Sequence, residues 1–359
     1  MDGMAPHFVR PNVRAMHGYT PGEQPGMGER VVKLNTNENP FPPSPKVMQA
    51  IREIEAEALR RYPNPTADSF RDAAAKVLGV EPDMILAGNG SDDILTIVTR
   101  TFIPPGGILA YPHPTYSLYS VLAQLEDAKT IGVPWEGDWQ LPVQGLLDAK
   151  AQAIYLANPN APSGTVLPPS VIGAFASEYK GLLLIDEAYV DFADTNCLAL
   201  VEKHANVVIS RTLSKAYGLA GLRFGYAVAQ PQVIAEMMKV KDSYNCDAIS
   251  IAAATAAIQD QEYAKMTWAH VRGERQRVTE ELTKLGFDVI PSHANFVLAH
   301  VPGGDGGAMY RKLKSMGILV RHFDTAQLKH YIRISIGSNT ENNALLIGVR
   351  DLLADMKAA

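Results

Sequence analysis

Five short apolar runs, at 84–87, 107–111, 153–157, 181–185 and 206–210, show no alternation of polar and apolar positions and are separated by stretches with helical spacing. A strand that is apolar on both faces has to be covered on both, so the runs predict an α/β fold with a mostly parallel sheet sandwiched by helices. In open sheets of this kind ligands gather at the carboxyl ends of the strands. The residues just past each run are therefore the ones to read for chemistry.

Past the last run comes TLSKAYGLAGLRFGY, Thr212 to Tyr226, which puts Lys215 in a turn of small residues with Arg223 eight positions on. An amine attacks a carbonyl only when unprotonated, so a Schiff-base lysine needs desolvation or nearby cations to lower its pKa. Lys215 has an apolar strand behind it and Arg223 near it in sequence. Thr212 and Ser214 add hydroxyl groups, and Gly218, Ala220 and Gly221 allow close approach of the backbone to a bound group. These residues suit a ligand with both a phosphate and a carbonyl, and pyridoxal 5′-phosphate (PLP) is the candidate. The competing reading is a solvated loop lysine, which is what most lysines are.

The other strand ends supply further parts. Past the first run, Gly90, Ser91 and Asp92 offer backbone N–H groups and a hydroxyl to a phosphate at a helix start, or else a plain helix cap. Tyr116 follows the second run and is placed either to stack on a planar ring or simply to pack. Asp186 ends the fourth run within Asp-Glu-Ala-Tyr. A carboxylate leaving a buried strand needs a cation, whether a protonated pyridine nitrogen or a salt-bridge partner, with a helix cap as the further alternative.

Three units are expected. Residues 1–43 are rich in Pro and Gly and read as an arm over the active site and the small unit. Residues 44–246 hold the strand and helix alternation. From 247 the pattern changes to a small-residue helix, a long charged helix ending at Gly286, strands at 295–301, 318–321 and 331–336, and a last helix with Ser338 and Glu341 in capping-box spacing, an α+β unit over 247–359.

At 359 residues the chain is long enough for a large and a smaller core. Its net charge of −5 comes without a block of basic residues, which argues against nucleic acid or an anionic membrane as partner. No apolar run approaches a membrane span and the N-terminus lacks the apolar core of a signal peptide, so the cytoplasm is expected. Cys197 and Cys246 form no metal-ligand or disulfide pattern. No metal is expected.

Gly-Ser-Asp at 90–92, NPNAPSG at 158–164, Asp-Glu-Ala-Tyr at 186–189 and Thr-Leu-Ser-Lys-Ala at 212–216, in this order, resemble the fold-type-I PLP-dependent aminotransferases. With LNTNENPFPPSP, RYPNP, GLAGLRFGY and YIRISIG, the chain is similar to their histidinol-phosphate branch over nearly its whole length. The resemblance implies a seven-stranded, mostly parallel large-domain sheet. It also implies transfer of an amino group between L-glutamate and imidazole acetol phosphate, giving L-histidinol phosphate and 2-oxoglutarate in histidine biosynthesis. An aromatic or broad-specificity aminotransferase, and more distantly a threonine-phosphate decarboxylase, share every cofactor residue. From other classes, a nucleotide-binding dehydrogenase lacks its GxGxxG, and a PLP-free regulatory module would not need the lysine and its companions.

Carried over position by position, the resemblance makes Lys215 the lysine that binds the cofactor and shuttles a proton between the substrate α carbon and cofactor C4′. Asp186 would pair with the pyridine nitrogen, Tyr189 with the ring hydroxyl, and Tyr116 would stack on the ring. Gly90, Ser91, Asp92, Thr212, Ser214 and Arg223 would surround the phosphate. Tyr62 would reach the phosphate of a neighbouring subunit, making the active unit a homodimer. Tyr19, Asn37, Arg321 and Arg333 would meet the substrate, the two arginines as an oxyanion clamp or, in the plainer reading, as surface strand arginines. One position departs from the family pattern: an asparagine that bonds the ring hydroxyl is replaced by Ala161, which leaves Asn160, Asn158 or water, with Asn160 the residue chosen.

Overall fold

The computed structural model describes residues 7–26, 28 and 31–358. Its strands, in chain order, are β1 (Val32–Lys33), β2 (Ile85–Gly88), β3 (Ile108–His113), β4 (Lys129–Pro134), β5 (Ala153–Ala157), β6 (Leu182–Asp186), β7 (Val207–Thr212), β8 (Gly225–Ala229), β9 (Asp288–Val289), β10 (Phe296–His300), β11 (Ile318–Leu319), β12 (Arg321–His322) and β13 (Tyr331–Ser335). Strands β2 to β8 form one seven-stranded sheet in the order β2-β8-β7-β6-β5-β3-β4. All its pairings are parallel except those of β8, which runs antiparallel to β2 and β7.

The apolar runs account for this sheet. Alternate residues of β5 enter opposite cores, Ile154 and Leu156 on one face and Ala153 and Tyr155 on the other, and β6 divides Leu183 and Ile185 from Leu182 and Leu184 in the same way. Two strands lie outside the five runs. β4 is an edge strand whose residues are half-buried or exposed, so it has no need of an apolar run. β8 begins inside the glycine-rich stretch after Lys215. A Cβ on its first residue, Gly225, would lie 2.5 Å from the Ser91 backbone nitrogen, so only glycine lets the helix Ser91–Phe102 begin against the sheet.

A second, antiparallel sheet has the order β12-β13-β10-β9. Its core joins Ile332, Ile334 and Ile336 to Val271, Val278 and Leu282 of the long helix Gln261–Lys284 and to Leu345 and Val349 of the last helix. The capping box forms as expected: the Ser338 N–H donates to Glu341 Oε2 (2.8 Å) and the Glu341 N–H to Ser338 Oγ (3.4 Å). The expected strand at 318–321 is divided at Val320. β11 pairs in parallel with β1 of the arm, and β12 pairs with β13.

One assignment from the sequence shifts. The small-residue helix Ala248–Gln259, placed above in the second unit, packs against the helices Pro45–Arg52 and Asp68–Leu78 and buries Ala253, Ala254, Ala257 and Ile258 in the core of the large sheet. Alanines on every side let it pass close to both neighbours. The chain leaves that core after Asp260, which takes hydrogen bonds from Ser44 Oγ and from Lys46 Nζ.

Candidate active site

The carboxyl ends of β2, β5, β6 and β7 point the same way, and the antiparallel β8 starts there, bringing Arg223 to the same edge. β7 continues to Thr212, so Lys215 lies three residues past the strand. Its Nζ donates to the carbonyl of Thr36 in the arm (3.0 Å). Burial pulls the amine down to about 8, and the next contribution is the charge of Arg333. Arg223, the cation suggested by the sequence, comes behind Arg333. On the far side, Trp268 Nε1 donates to the Ala216 carbonyl (2.8 Å) and fixes the turn.

Asp186 closes β6 and is 5% exposed. It accepts from the Tyr119 hydroxyl (2.8 Å) and from the Ala188 N–H (3.2 Å). Burial pushes its carboxyl up to about 6, against the pull of both donors. No cation pairs with it among the described residues, so the salt-bridge alternative does not hold. Tyr119 was missed in the sequence. Its signal was the helix start after Tyr116, where a residue three positions on, at Leu118–Leu125, lies over the same strand ends.

The expected phosphate residues come together. Gly90 has φ +86°, and a Cβ there would be 2.8 Å from Arg223 Nη2. Ser91 is the first residue of its helix, which has no side-chain cap, so capping by Ser91 or Asp92 is not seen. Thr212 Oγ1 donates to Ser214 Oγ (3.0 Å), and Arg223 reaches both Ser214 Oγ (3.3 Å) and Asp92 Oδ2 (3.2 Å). Tyr116 donates to Asp92 Oδ1 (3.3 Å) and meets the Tyr19 ring edge-on at 5.8 Å.

Tyr189 sits with its ring edge against Phe296, and its hydroxyl takes a hydrogen bond from Asn37 Nδ2 (3.0 Å). Arg333 donates to the Asn35 carbonyl (2.9 Å) and lies over Phe296 at 5.2 Å, while its buried Nε has no partner. Arg321 is the residue paired with it across β12 and β13, and both guanidinium groups flank the Phe323 ring.

Two expected residues stand apart. Tyr62, expected at a neighbouring subunit's site, is 80% exposed and stacks on Tyr244 (4.4 Å between centroids). Asn160 is buried near it, but its amide already donates to the Pro114 carbonyl (3.3 Å) and to Ser163 Oγ (2.9 Å). The Asn158 amide likewise serves the Leu167 carbonyl (3.2 Å) and Cys197 Sγ (3.7 Å). Neither asparagine has an N–H left for a ligand. Among the described residues no cluster of His, Cys, Asp and Glu could hold a metal ion, and no helix is long and apolar enough to cross a membrane.

A desolvated lysine and an unpaired buried carboxylate at the carboxyl ends of neighbouring strands, beside a glycine-built anion corner, define an enzyme site for a phosphorylated carbonyl cofactor. The sequence model of aminotransferase class I and II matches residues 29–349, and the chain belongs to that family. Histidinol-phosphate aminotransferase 1 of Trichormus variabilis is 46% identical over 347 residues, covering 97% of this chain and 99% of the relative. The histidinol-phosphate aminotransferase of Rhodopirellula baltica is 47% identical over 340 residues, 94% of each chain. Among solved structures, histidinol-phosphate aminotransferase from Sinorhizobium meliloti in complex with pyridoxal-5′-phosphate superposes with a TM-score of 0.89 at 29% identity, over 98% of this chain and 99% of that one.

Proposed function

We propose that this chain is a PLP-dependent transaminase that moves the amino group between L-glutamate and imidazole acetol phosphate, yielding L-histidinol phosphate and 2-oxoglutarate. The observation that carries the reading is Asp186. An ionised carboxylate buried without a cation costs several kcal/mol, and a ligand whose ring nitrogen brings a positive charge removes that cost. The rest of the donor set fits the same group, with the Gly90 cradle, Ser91, Thr212, Ser214 and Arg223 for its phosphate and Tyr189 for its ring oxygen.

Bound PLP supplies a carbonyl that accepts amino groups and a cationic ring that withdraws electrons from the substrate. The chain does the remainder. Lys215 Nζ, near neutrality because it is buried beside Arg333, takes the proton from the substrate α carbon. Asp186, held by Tyr119 and the Ala188 N–H, would supply the carboxylate that pairs with the ring nitrogen. Arg333 and Arg321 receive the substrate's phosphate or carboxylate. Tyr19, Thr36 and Asn37 of the arm cover this end and exclude water.

Tyr62, exposed and stacked on Tyr244, is offered to a second copy of the chain, which makes the working unit a homodimer with shared sites. The cytoplasm is the proposed location. A coupled transamination assay with histidinol phosphate, phenylalanine and tyrosine as amino donors tests the function. A clear preference for histidinol phosphate is expected, and equal rates with all three would replace this reading by a broad-specificity one.

A further inference from the structure

The direction of each hydrogen bond around Asn37 follows from groups that can act in only one way. The Asn37 backbone N–H can only donate, and it donates to Ser335 Oγ (2.8 Å). The Ser335 hydroxyl proton is thereby free for Asn37 Oδ1 (3.0 Å). With the oxygen end of the amide fixed, Nδ2 is the end that faces Tyr189 and donates to its hydroxyl (3.0 Å). Tyr189 then accepts from Asn37, and its own proton is left to donate elsewhere. Asn295 Nδ2 holds the Asn37 carbonyl (2.9 Å), and Asn37 itself has φ +56°, a left-handed conformation that asparagine tolerates better than most residues.

The surroundings give that proton a particular value. Ala161 packs in the same small cluster as Tyr189, Ala294 and Phe296 and carries no amide. The amides of Asn158 and Asn160 are committed within their own loop. Tyr189 is left as the protein hydroxyl placed to serve a cofactor's ring oxygen.

We propose that Asn37 is a positioning residue: its amide orients the Tyr189 hydroxyl so that the phenol proton is donated to the ring oxygen of the cofactor, and Ser335 of β13 and Asn295 just ahead of β10 hold Asn37 in that role. The inference rests on the PLP-dependent function proposed above. It gives Asn37 a task in the enzyme before any substrate arrives. The titratable groups acting on the Tyr189 hydroxyl are Arg333 on β13, Asp186 on β6, Tyr19 on the arm and Tyr116 past β3, and none of them is altered by changing Asn37.

The test is the pH titration of the absorption spectrum of PLP bound to the substrate-free holoenzyme. A hydrogen bond to the ring oxygen withdraws negative charge that would otherwise hold the neighbouring proton, so losing it raises the midpoint. Tyr189→Phe is expected to raise the midpoint, and Asn37→Ala to raise it in the same direction by about one pH unit. Ser335→Ala, which leaves the Asn37 amide in place but unanchored, is expected to give a smaller rise. Because Asn37 acts through Tyr189, the double variant Asn37→Ala/Tyr189→Phe should titrate like Tyr189→Phe alone. A midpoint unchanged in Asn37→Ala, with only KM for substrate raised, overturns the proposal and leaves Asn37 a substrate contact. Additive shifts in the double variant overturn it as well. Should Asn37→Ala not fold, the Ser335→Ala midpoint decides, an unshifted value going against the proposal. A wild-type chain showing no PLP spectrum would instead refute the parent function.

Discussion

Arg321 and Arg333 stand directly opposite each other across β12 and β13, with their guanidinium carbons 5.4 and 5.5 Å from the centre of the same Phe323 ring. Like charges facing each other in an antiparallel pair are destabilising unless an anion lies between them. Glutamate offers carboxylates to this pair, whereas histidinol phosphate offers its phosphate. Arg333→Ala is expected to slow both half-reactions by about ten- to a hundredfold, the range for losing a hydrogen bond to a charged group. Arg321→Ala should impair the histidinol-phosphate half-reaction more than that of a donor bearing only an α-carboxylate. Single-turnover spectra with each donor measure this, and an equal small effect on all donors would favour broad specificity.

Lys215→Ala is expected to lower transamination by several orders of magnitude, since both cofactor attachment and proton transfer from the α carbon are lost. Borohydride treatment of the holoenzyme followed by peptide mapping should place the pyridoxyl label on Lys215. A label on any other lysine contradicts the assignment.

Asp186→Asn should leave the fold largely intact and cripple turnover, because an amide does not neutralise a cationic ring as a carboxylate does. Tyr119→Phe is the finer test. Without that donor the Asp186 carboxyl rises further above about 6. The affinity of the apo chain for PLP, which requires a charged Asp186, should then fall away at a higher pH than in the wild type. Cofactor titrations between roughly pH 5 and pH 8, on either side of the raised carboxyl value, would show it.

Lys215 also gives the apo chain a pH-dependent stability. Its folded pKa is about 8 against an ordinary 10.5, so between those values the unfolded chain binds more protons and stability rises with pH. The full effect is at most about 3 kcal/mol. Urea unfolding at the two ends of that window should show the rise in wild type and its loss in Lys215→Met. Tyrosines whose pKa values are raised by burial act in the opposite sense above pH ~10, but equally in both chains.

Tyr62→Phe should weaken PLP retention without dissociating the proposed dimer, because one hydroxyl is lost and little buried area changes. Cofactor titration and sedimentation together decide this. A tight, active monomer would sink the shared site.

Lys215 and Asp186 were legible in the sequence because each lies at or just past the carboxyl end of an apolar run, where a parallel sheet collects chemistry, whereas Tyr189 was marked only by the family resemblance. The strands of the runs were legible for the same reason, since two-sided burial leaves a compositional trace. β4 and β8 were not, one because an edge strand can stay polar and the other because close approach to the Ser91 helix demands glycine at its start. The contacts of the site were illegible for a different reason. Thr36 touches Lys215 across 179 positions and Ser335 touches Asn37 across 298, and no local pattern encodes such a pairing. The same holds for Arg333, which affects Lys215 more than the Arg223 that is close to it in sequence.

The division of 318–322 at Val320 ties two events into one. β11 is the strand on which the arm's Val32 and Lys33 are zipped, and β12, one residue later, carries Arg321. A ligand that grips Arg321 should stiffen the segment the arm is fastened to, and by thermodynamic reciprocity a fastened arm should raise the affinity for that ligand by the factor with which the ligand favours the fastened arm. Trimming the chain ahead of residue 34 would thus register first as weakened capture of the anion, with the cores of both sheets still in place.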